Sequence, residues 1–308
     1  MLTVLFPGLV PNKHKSTYTW LETDPYAREL IQQAEEHLGP DLLERHTRAE
    51  IYDWNVYQAV YLVESLSLAE AWCRRNGADP DLVAGQSFGS LAAAVFSGSI
   101  AFRDMCRVMT ASTAAEIEYF KQAAEPLGCV FFSRCSPART WQIIDEITGQ
   151  SSPEWLDVSV VQERGVMAVS GTRNLVDQFA SQVKKEGGLI FYTIDRAEHC
   201  PALAPLAEIL KCEAYCASDF SGPAKPLLSD NGVLLHTGED VARDLAEGWG
   251  RRLVNQEQYQ TMTSLGTEHI VIPGHSSLFA SDQGISGRKT LVKARTMLEK
   301  GTHTHHGR

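Results

Sequence analysis

The sequence predicts an α/β protein: a large α/β-hydrolase-like domain interrupted by an inserted ferredoxin-like small subdomain. Three observations predict it. The pentapeptide Gly85-Gln86-Ser87-Phe88-Gly89 joins an apolar run, Asp81-Leu82-Val83-Ala84, to a helix-like run from Leu91 to Phe96, the strand–turn–helix setting of a nucleophile elbow. In the first and last parts of the chain, apolar runs of strand length alternate with segments of helical period. Between them the order changes to strand–helix–strand–strand–helix–strand, the split βαβ pattern. The large domain is thus expected over 1–127 and 196–300, and the small subdomain over 128–195.

The elements follow in order. Leu2 to Phe6 reads as a buried first strand, ended by Pro7-Gly8. Helical apolar spacing covers 25–38 and 56–75, and after the elbow a further helix is expected over 103–122. Pro126-Leu127-Gly128 breaks the pattern. The insert then reads as strand 130–132, helix 137–147, strands 158–162 and 166–170, helix 172–186 and strand 189–193. The large domain resumes with a helix over 201–217, a short strand at 226–228, a helix over 242–253 and a strand at 269–272 that ends at Pro273-Gly274. The tail 301–308, with His303, His305 and His306, is expected to be disordered.

With 308 residues, 44% of them hydrophobic, the chain can bury a full core. Its net charge of −10 argues against nucleic-acid binding. Basic residues gather at Arg74-Arg75, Lys184-Lys185, Arg251-Arg252 and along Arg288, Lys289, Lys293 and Arg295; most read as solvated faces. The seven cysteines form neither a disulfide framework nor a metal-ligand spacing. Cys212 and Cys216, four apart, read as two buried thiols on one helix face. No apolar run reaches membrane-spanning length, and Met1–Phe6 lacks a basic lead and a cleavage signature. A cytoplasmic protein with no membrane, nucleic-acid or metal partner is expected.

A serine at the tip of an elbow presents its hydroxyl, and the glycines on either side give the tight backbone such a turn needs. The backbone N–H groups that follow lie at a helix N-terminus, where they can hold an oxyanion. Ser87 is therefore the candidate nucleophile, and it needs a base. Of the ten histidines, His14, His37 and His46 lie in polar segments and three lie in the tail. His236 stands in a Gly-rich loop, and His269 begins a strand. His199 and His275 remain. His199 follows the last strand of the insert, where the chain crosses back into the large domain and a side chain would face the cleft. His275 follows the last strand, where an α/β-hydrolase holds its base. Spacing alone does not choose between them.

Taken in order, a series of motifs resembles the malonyl-CoA:acyl-carrier-protein transacylase family, including the acyltransferases of polyketide synthases. Leu5-Phe6-Pro7-Gly8 resembles that family's F-P-G-Q-G start, and Gln58 falls where it has T-Q-P-A-L. The elbow matches G-H-S-x-G, and Gly165 to Gly171 parallels its P-G-Q-V-V-I-S-G hairpin. His199-Cys200-Pro201 parallels S-H-C, Arg252-Leu253-Val254-Asn255 parallels Q-L-x-N, and Ile272-Pro273-Gly274 parallels V-G-P-G. The resemblance implies that Ser87 attacks a thioester, that His199 takes its proton, and that a backbone carbonyl at Arg252 orients the imidazole. It implies an oxyanion hole from the N–H groups of Leu9 and Phe88, and it leaves His275 outside the chemistry. No cofactor is implied beyond the phosphopantetheine arm of an acyl carrier protein or of CoA that carries the substrate.

The departures bear on the acyl group. Aligning Phe102-x-Asp104-x-x-Arg107 with the family's F-x-D-x-x-R puts Ser112 where malonyl-transferring members hold the substrate carboxylate with an arginine; Arg107 is then the structural arginine. A buried carboxylate without that bidentate partner is strongly disfavoured. Arg196-Ala197-Glu198 matches neither H-A-F-H nor Y-A-S-H, Gln86 replaces the usual histidine, and Gln162 replaces the hairpin asparagine. Gln58, Gln86, Ser112 and Glu198 are the expected pocket residues. Glu198 and Glu116 are placed either as receivers of a cationic amine or as plain exposed glutamates.

The expected function is a discrete acyltransferase carrying a non-malonyl group, such as an aminoacyl or dipeptidyl starter, between phosphopantetheine thiols. It would resemble the carrier-to-carrier acyltransferases of macrolactam antibiotic pathways such as the vicenistatin one. A carrier-thioester hydrolase and a malonyl transferase are the alternatives. Carrier proteins are acidic, so Arg251, Arg288, Lys289, Lys293 and Arg295 are the expected dock.

Overall fold

The computed structural model describes residues 1–9, 12–50, 53–148, 155–162, 166–274 and 287–301. In chain order the first part is β1 (Leu2–Phe6), α1 (Lys15–Thr23), α2 (Pro25–Leu38), α3 (Leu42–Arg48), α4 (Trp54–Asn76), β2 (Leu82–Gly85), α5 (Gly89–Phe96) and α6 (Phe102–Lys121). The middle part is β3 (Leu127–Ser133), α7 (Pro137–Thr148), β4 (Leu156–Val161), β5 (Val166–Thr172), α8 (Arg173–Lys185) and β6 (Leu189–Ile194). The last part is α9 (Ala204–Glu213), β7 (Leu227–Leu228), β8 (Leu234–Leu235), α10 (Gly238–Glu247), β9 (Leu253–Val254), α11 (Asn255–Ser264), β10 (His269–Pro273), β11 (Arg288–Val292) and α12 (Ala294–Gly301).

The larger sheet has the order β11-β10-β1-β2-β7-β8 and is parallel except for the β7–β8 pairing. A parallel sheet carries helices on both faces, so its central strands are apolar throughout. Val4, Phe6 and Val83 pack into the core that holds α4 and α5. Leu5, Leu82, Ala84, Ile270 and Ile272 turn to the other side and meet Tyr259 and Met262 of α11. The loops at the carboxyl ends of β1 and β2 therefore converge at the middle of the sheet, the usual place for a site in such folds.

In the smaller sheet the order is β6-β3-β5-β4-β9. Strands β3 to β6 pair antiparallel, and with α7 and α8 they reproduce the strand order of a split βαβ unit. Side chains alternate across it. Val130, Phe132, Val158, Met167 and Val169 pack with Ile143 of α7 and Phe179 of α8. Cys129, Val160, Ala168 and Ile194 point the other way and meet Leu253, with Trp54, Phe131 and Tyr192 alongside. β9 comes from the last part of the chain yet pairs parallel to β4, Val160 with Leu253 and Val161 with Val254.

Several elements depart from the sequence expectation. The helix expected over 201–217 is a 3-10 turn at Pro201–Leu203 followed by α9, which ends at Glu213. Cys216 thus lies past the helix and Cys212 is exposed, so the expected buried pair of thiols does not form. The helix expected over 242–253 begins earlier, because Thr237 and Asp240 form a capping box, and it gives way to a 3-10 turn at Gly248–Gly250. α1, α3, α11, α12, β8, β9 and β11 were not assigned from sequence. The tail from 302 and His275 lie outside the described residues. Among the described residues, no helix is long and apolar enough to cross a membrane, and no cluster of His, Cys, Asp or Glu could hold a metal ion.

Candidate active site

Ser87 stands between β2 and α5 with a φ of 53°, in the left-handed region that side chains rarely adopt. Its two glycines are required by space. A Cβ on Gly85 would lie 2.4 Å from Ser90 Cα, and one on Gly89 would lie 2.3 Å from the Phe6 carbonyl oxygen. The elbow is tied to β1 by the Gln86 N–H, which donates to the Phe6 carbonyl at 3.0 Å. Tyr61 donates its hydroxyl proton to the Pro7 carbonyl, fixing the loop that carries Leu9 to the cavity wall. The Phe88 N–H, at the start of α5, meets no acceptor among the described residues. Leu9 and Phe88 both line the cavity around Ser87.

His199 also has a positive φ, 49°, and its Nε2 lies 2.6 Å from Ser87 Oγ. The two residues of this pair come from opposite walls of the cleft, 112 positions apart. Its Nδ1 lies 2.9 Å from the carbonyl oxygen of Gly248. A carbonyl only accepts, so Nδ1 carries the proton and Nε2 offers its lone pair to the serine hydroxyl. The expected orienting carbonyl at Arg252 is thereby corrected to Gly248. Arg252 directly precedes β9, and its guanidinium binds Asp157 and the Val158 carbonyl. The end of α10 reaches His199 instead, and the Cys200 N–H donates to the next carbonyl, that of Trp249, at 3.2 Å.

The cavity is lined by the expected pocket residues Gln58, Ser112 and Glu198. Gln86 is not among them. It is fully buried behind the elbow, where its Nε2 donates to Gln258 Oε1 at 2.9 Å and to the Tyr259 hydroxyl at 3.0 Å. Gln58 accepts from the Thr113 hydroxyl at 3.0 Å. Ser112 donates to Glu116 Oε1 at 2.7 Å and lies 3.3 Å from the Tyr215 hydroxyl.

The reading of Glu116 and Glu198 as plain exposed glutamates does not hold, and the chain supplies a cation of its own to both. Arg196 is 2.8 Å from both Glu116 Oε2 and Glu198 Oε1, with side-chain exposures of only 11%, 4% and 15% for the three. Its guanidinium lies 3.8 Å from the centre of the Trp54 ring and 5.0 Å from that of Trp249. Burial pushes the Glu116 carboxyl up, opposed by Arg196 and the Ser112 hydrogen bond. Sequence reasoning noted Arg196 only as a departure from a pattern. Its partner Glu116 sits on another element, and no local signal links them.

The expected dock does not assemble. Arg251 is committed to Asp230 and Asp244 at 2.6 and 2.7 Å. Arg295 pairs with Glu299 on its own helix. Arg288 and Lys289 align with His269 and Ile270, and through them with Leu2 and Thr3, at the amino ends of the strands. Ser87 lies at the carboxyl ends. Of this group only Lys293, just past Val292, follows a carboxyl end.

Comparison with curated proteins identifies relatives across most of the chain. The malonyl CoA-acyl carrier protein transacylase of Escherichia coli O157:H7 is 26% identical over 261 residues, covering 80% of each chain. That of Salmonella typhimurium is 25% identical over 256 residues, again covering 80% of each. Over most of its length this chain is similar to the malonyl CoA-acyl carrier protein transacylases. No family model matches it. Among solved structures, the transacylase of Coxiella burnetii superposes with a TM-score of 0.80 at 17% identity, covering 99% of this chain and 98% of that one. A malonyl-transacylase in complex with its type II polyketide synthase acyl carrier protein superposes with a TM-score of 0.80 at 17% identity, covering 97% and 99%. The mixed α/β fold is that of these transacylases.

Proposed function

We propose that the protein is an acyltransferase that moves an acyl group between phosphopantetheine thiols, one of them on an acyl carrier protein, through an ester on Ser87. The observation that carries this reading is the 2.6 Å contact of Ser87 Oγ with an imidazole whose other nitrogen is held by a carbonyl. Ser87 Oγ attacks the thioester carbon as its proton passes to His199 Nε2. The N–H groups of Phe88 and Leu9 receive the oxyanion; one such donor is typically worth about 3–4 kcal/mol. The tetrahedral adduct expels the thiol, which takes the proton from Nε2. A second thiol then gives its proton to the same nitrogen and attacks the ester. Because a carbonyl rather than a carboxylate faces Nδ1, the imidazole is oriented without an added full charge.

The acyl group is read as one without a far carboxylate, in keeping with a non-malonyl, aminoacyl or dipeptidyl cargo of a polyketide-type pathway. Ser112 occupies the position of the malonyl-binding arginine, and the Arg196 guanidinium is already shared by two carboxylates. A third carboxylate would be buried beside them with no cation of its own, a costly arrangement. Malonyl transfer is the second reading. It is favoured by the names of the curated relatives and by the presence of one guanidinium in the cavity.

Mass measurement of the intact chain separates these readings. After incubation with malonyl-CoA and with alanyl and acetyl thioesters of N-acetylcysteamine, adducts are expected on Ser87 from the latter two and not from malonyl-CoA. Rapid malonylation overturns the choice of acyl group and leaves acyl transfer standing. Loss of every adduct in Ser87→Ala is expected; an adduct that survives there overturns the ester itself. Release to water in the presence of a competent carrier thiol would instead mark a hydrolase.

A further inference from the structure

Acyl transfer as described leaves one charged group of the cleft without a task. Asp230, just past β7, and Asp244, in the last turn of α10, both line the cavity, and both are nearly buried. A single nitrogen of Arg251, Nη2, donates to Asp230 Oδ1 at 2.6 Å and to Asp244 Oδ1 at 2.7 Å. The other oxygen of Asp230 faces the Ser87 N–H at 3.4 Å. Arg251 directly follows the Gly248–Gly250 turn, whose first carbonyl holds His199.

The middle of that turn is anchored through Trp249, whose carbonyl accepts from the Cys200 N–H and whose ring lies beside the Arg196 guanidinium. The turn begins and ends with glycine, and the Gly248 N–H donates back to the Asp244 carbonyl in the last turn of α10. The Gly248 carbonyl that faces His199 lies at the edge of the turn, where its position also depends on what grips the two ends. Asp244 and Arg251 are those ends, and they are bonded to each other. The contacts form a closed ring: Ser87 N–H to Asp230, Asp230 to Arg251, Arg251 through the turn to the Gly248 carbonyl, that carbonyl to His199, and His199 to Ser87 Oγ.

We propose that Arg251 is a positioning residue for acylation, closing this ring and so fixing the imidazole against the serine hydroxyl. The inference rests on the Ser87–His199 reading of the site. It replaces the docking role expected from the charge of Arg251. Misplacement of a reacting group by about 1 Å costs on the order of 100-fold in rate, and a slack turn would allow a shift of that size.

The test uses the full chain and p-nitrophenyl acetate, which reports acylation by release of nitrophenolate and needs neither a carrier nor a particular acyl pocket. Arg251→Met is expected to slow the burst roughly 100-fold with the half-saturating ester concentration unchanged. Arg251→Lys, which keeps a cation between the carboxylates, should stay within about tenfold of the parent. The triple variant Asp230→Asn, Arg251→Met, Asp244→Asn leaves no unpaired charge in the cleft. It should melt close to the parent and still acylate at least about tenfold more slowly. A triple variant at the parental rate would show that Arg251 only neutralises its neighbours, and it would overturn the proposal even if Arg251→Met alone fails to fold. A labelled parent with an equally fast Arg251→Met overturns the positioning role alone. A parent that acquires no adduct on Ser87 overturns the functional reading and this one together.

Discussion

At the residue scale, His199 is oriented by the Gly248 carbonyl, and that acceptor has no side chain to mutate. The arginine four positions later is then free of catalytic duty. Arg252→Ala should remove the bond to Asp157 and the contact with the Trp141 ring. For a half-exposed pair this costs about 0–1 kcal/mol in urea unfolding, while acylation of Ser87 should stay within about twofold. A hundredfold loss would return the orienting role to that segment. Ser87 was legible from G-x-S-x-G, whereas the residues alone left His199 and His275 level and only the family resemblance of the His-Cys-Pro step separated them. The carbonyl was not legible, since any residue could supply it. The ion pairs of Arg196 and Arg251 were equally hidden. A sequence displays a charge, while the carboxylate that quenches it sits up to 80 positions away.

At the scale of elements, the elbow owes its shape to close approach as much as to dihedral freedom. Gly89→Ala would drive a methyl into the Phe6 and Pro7 carbonyls. The resulting shift should lower unfolding stability by about 1–3 kcal/mol, read by chemical denaturation, with acylation falling as well. The end of α10 makes a second prediction. Burial and the neighbouring Asp230 push the Asp244 carboxyl up from 3.8 to about 7, against the pull of Arg251. The native state therefore keeps a proton there that the unfolded chain has lost. Stability contributed by this group falls as pH rises from about 4 to about 7. Asp244→Asn should accordingly raise the melting temperature relative to the parent more at pH 8 than at pH 5. An equal effect at both pH values would place the titration elsewhere. Element boundaries were readable where apolar period was strong, as in β1 and α2. They failed where caps decided, as at Thr237, and where an edge strand such as β11 carries Arg288 and Lys289 in place of an apolar run.

On the scale of the whole molecule, the parallel register separates charge from chemistry. Arg288 and Lys289 stand at the amino ends of the strands and Ser87 at the carboxyl ends. Arg288→Glu with Lys289→Glu should leave transfer to a carrier protein within about twofold of the parent; a drop of tenfold or more would mean that the carrier reaches round to that edge. The change of strand and helix order after Pro126 was readable, and β3 to β6 follow it in the smaller sheet. The junction of the two sheets was not, because β9 is two residues long and has no period to detect.

That short strand bears on how the cleft can open. Leu253 and Val254 add themselves to the smaller sheet through main-chain bonds, while the segment they belong to stays with the larger one. The two sheets that wall the cleft are thus stitched by main-chain bonds, and swinging them apart would first unpick that seam.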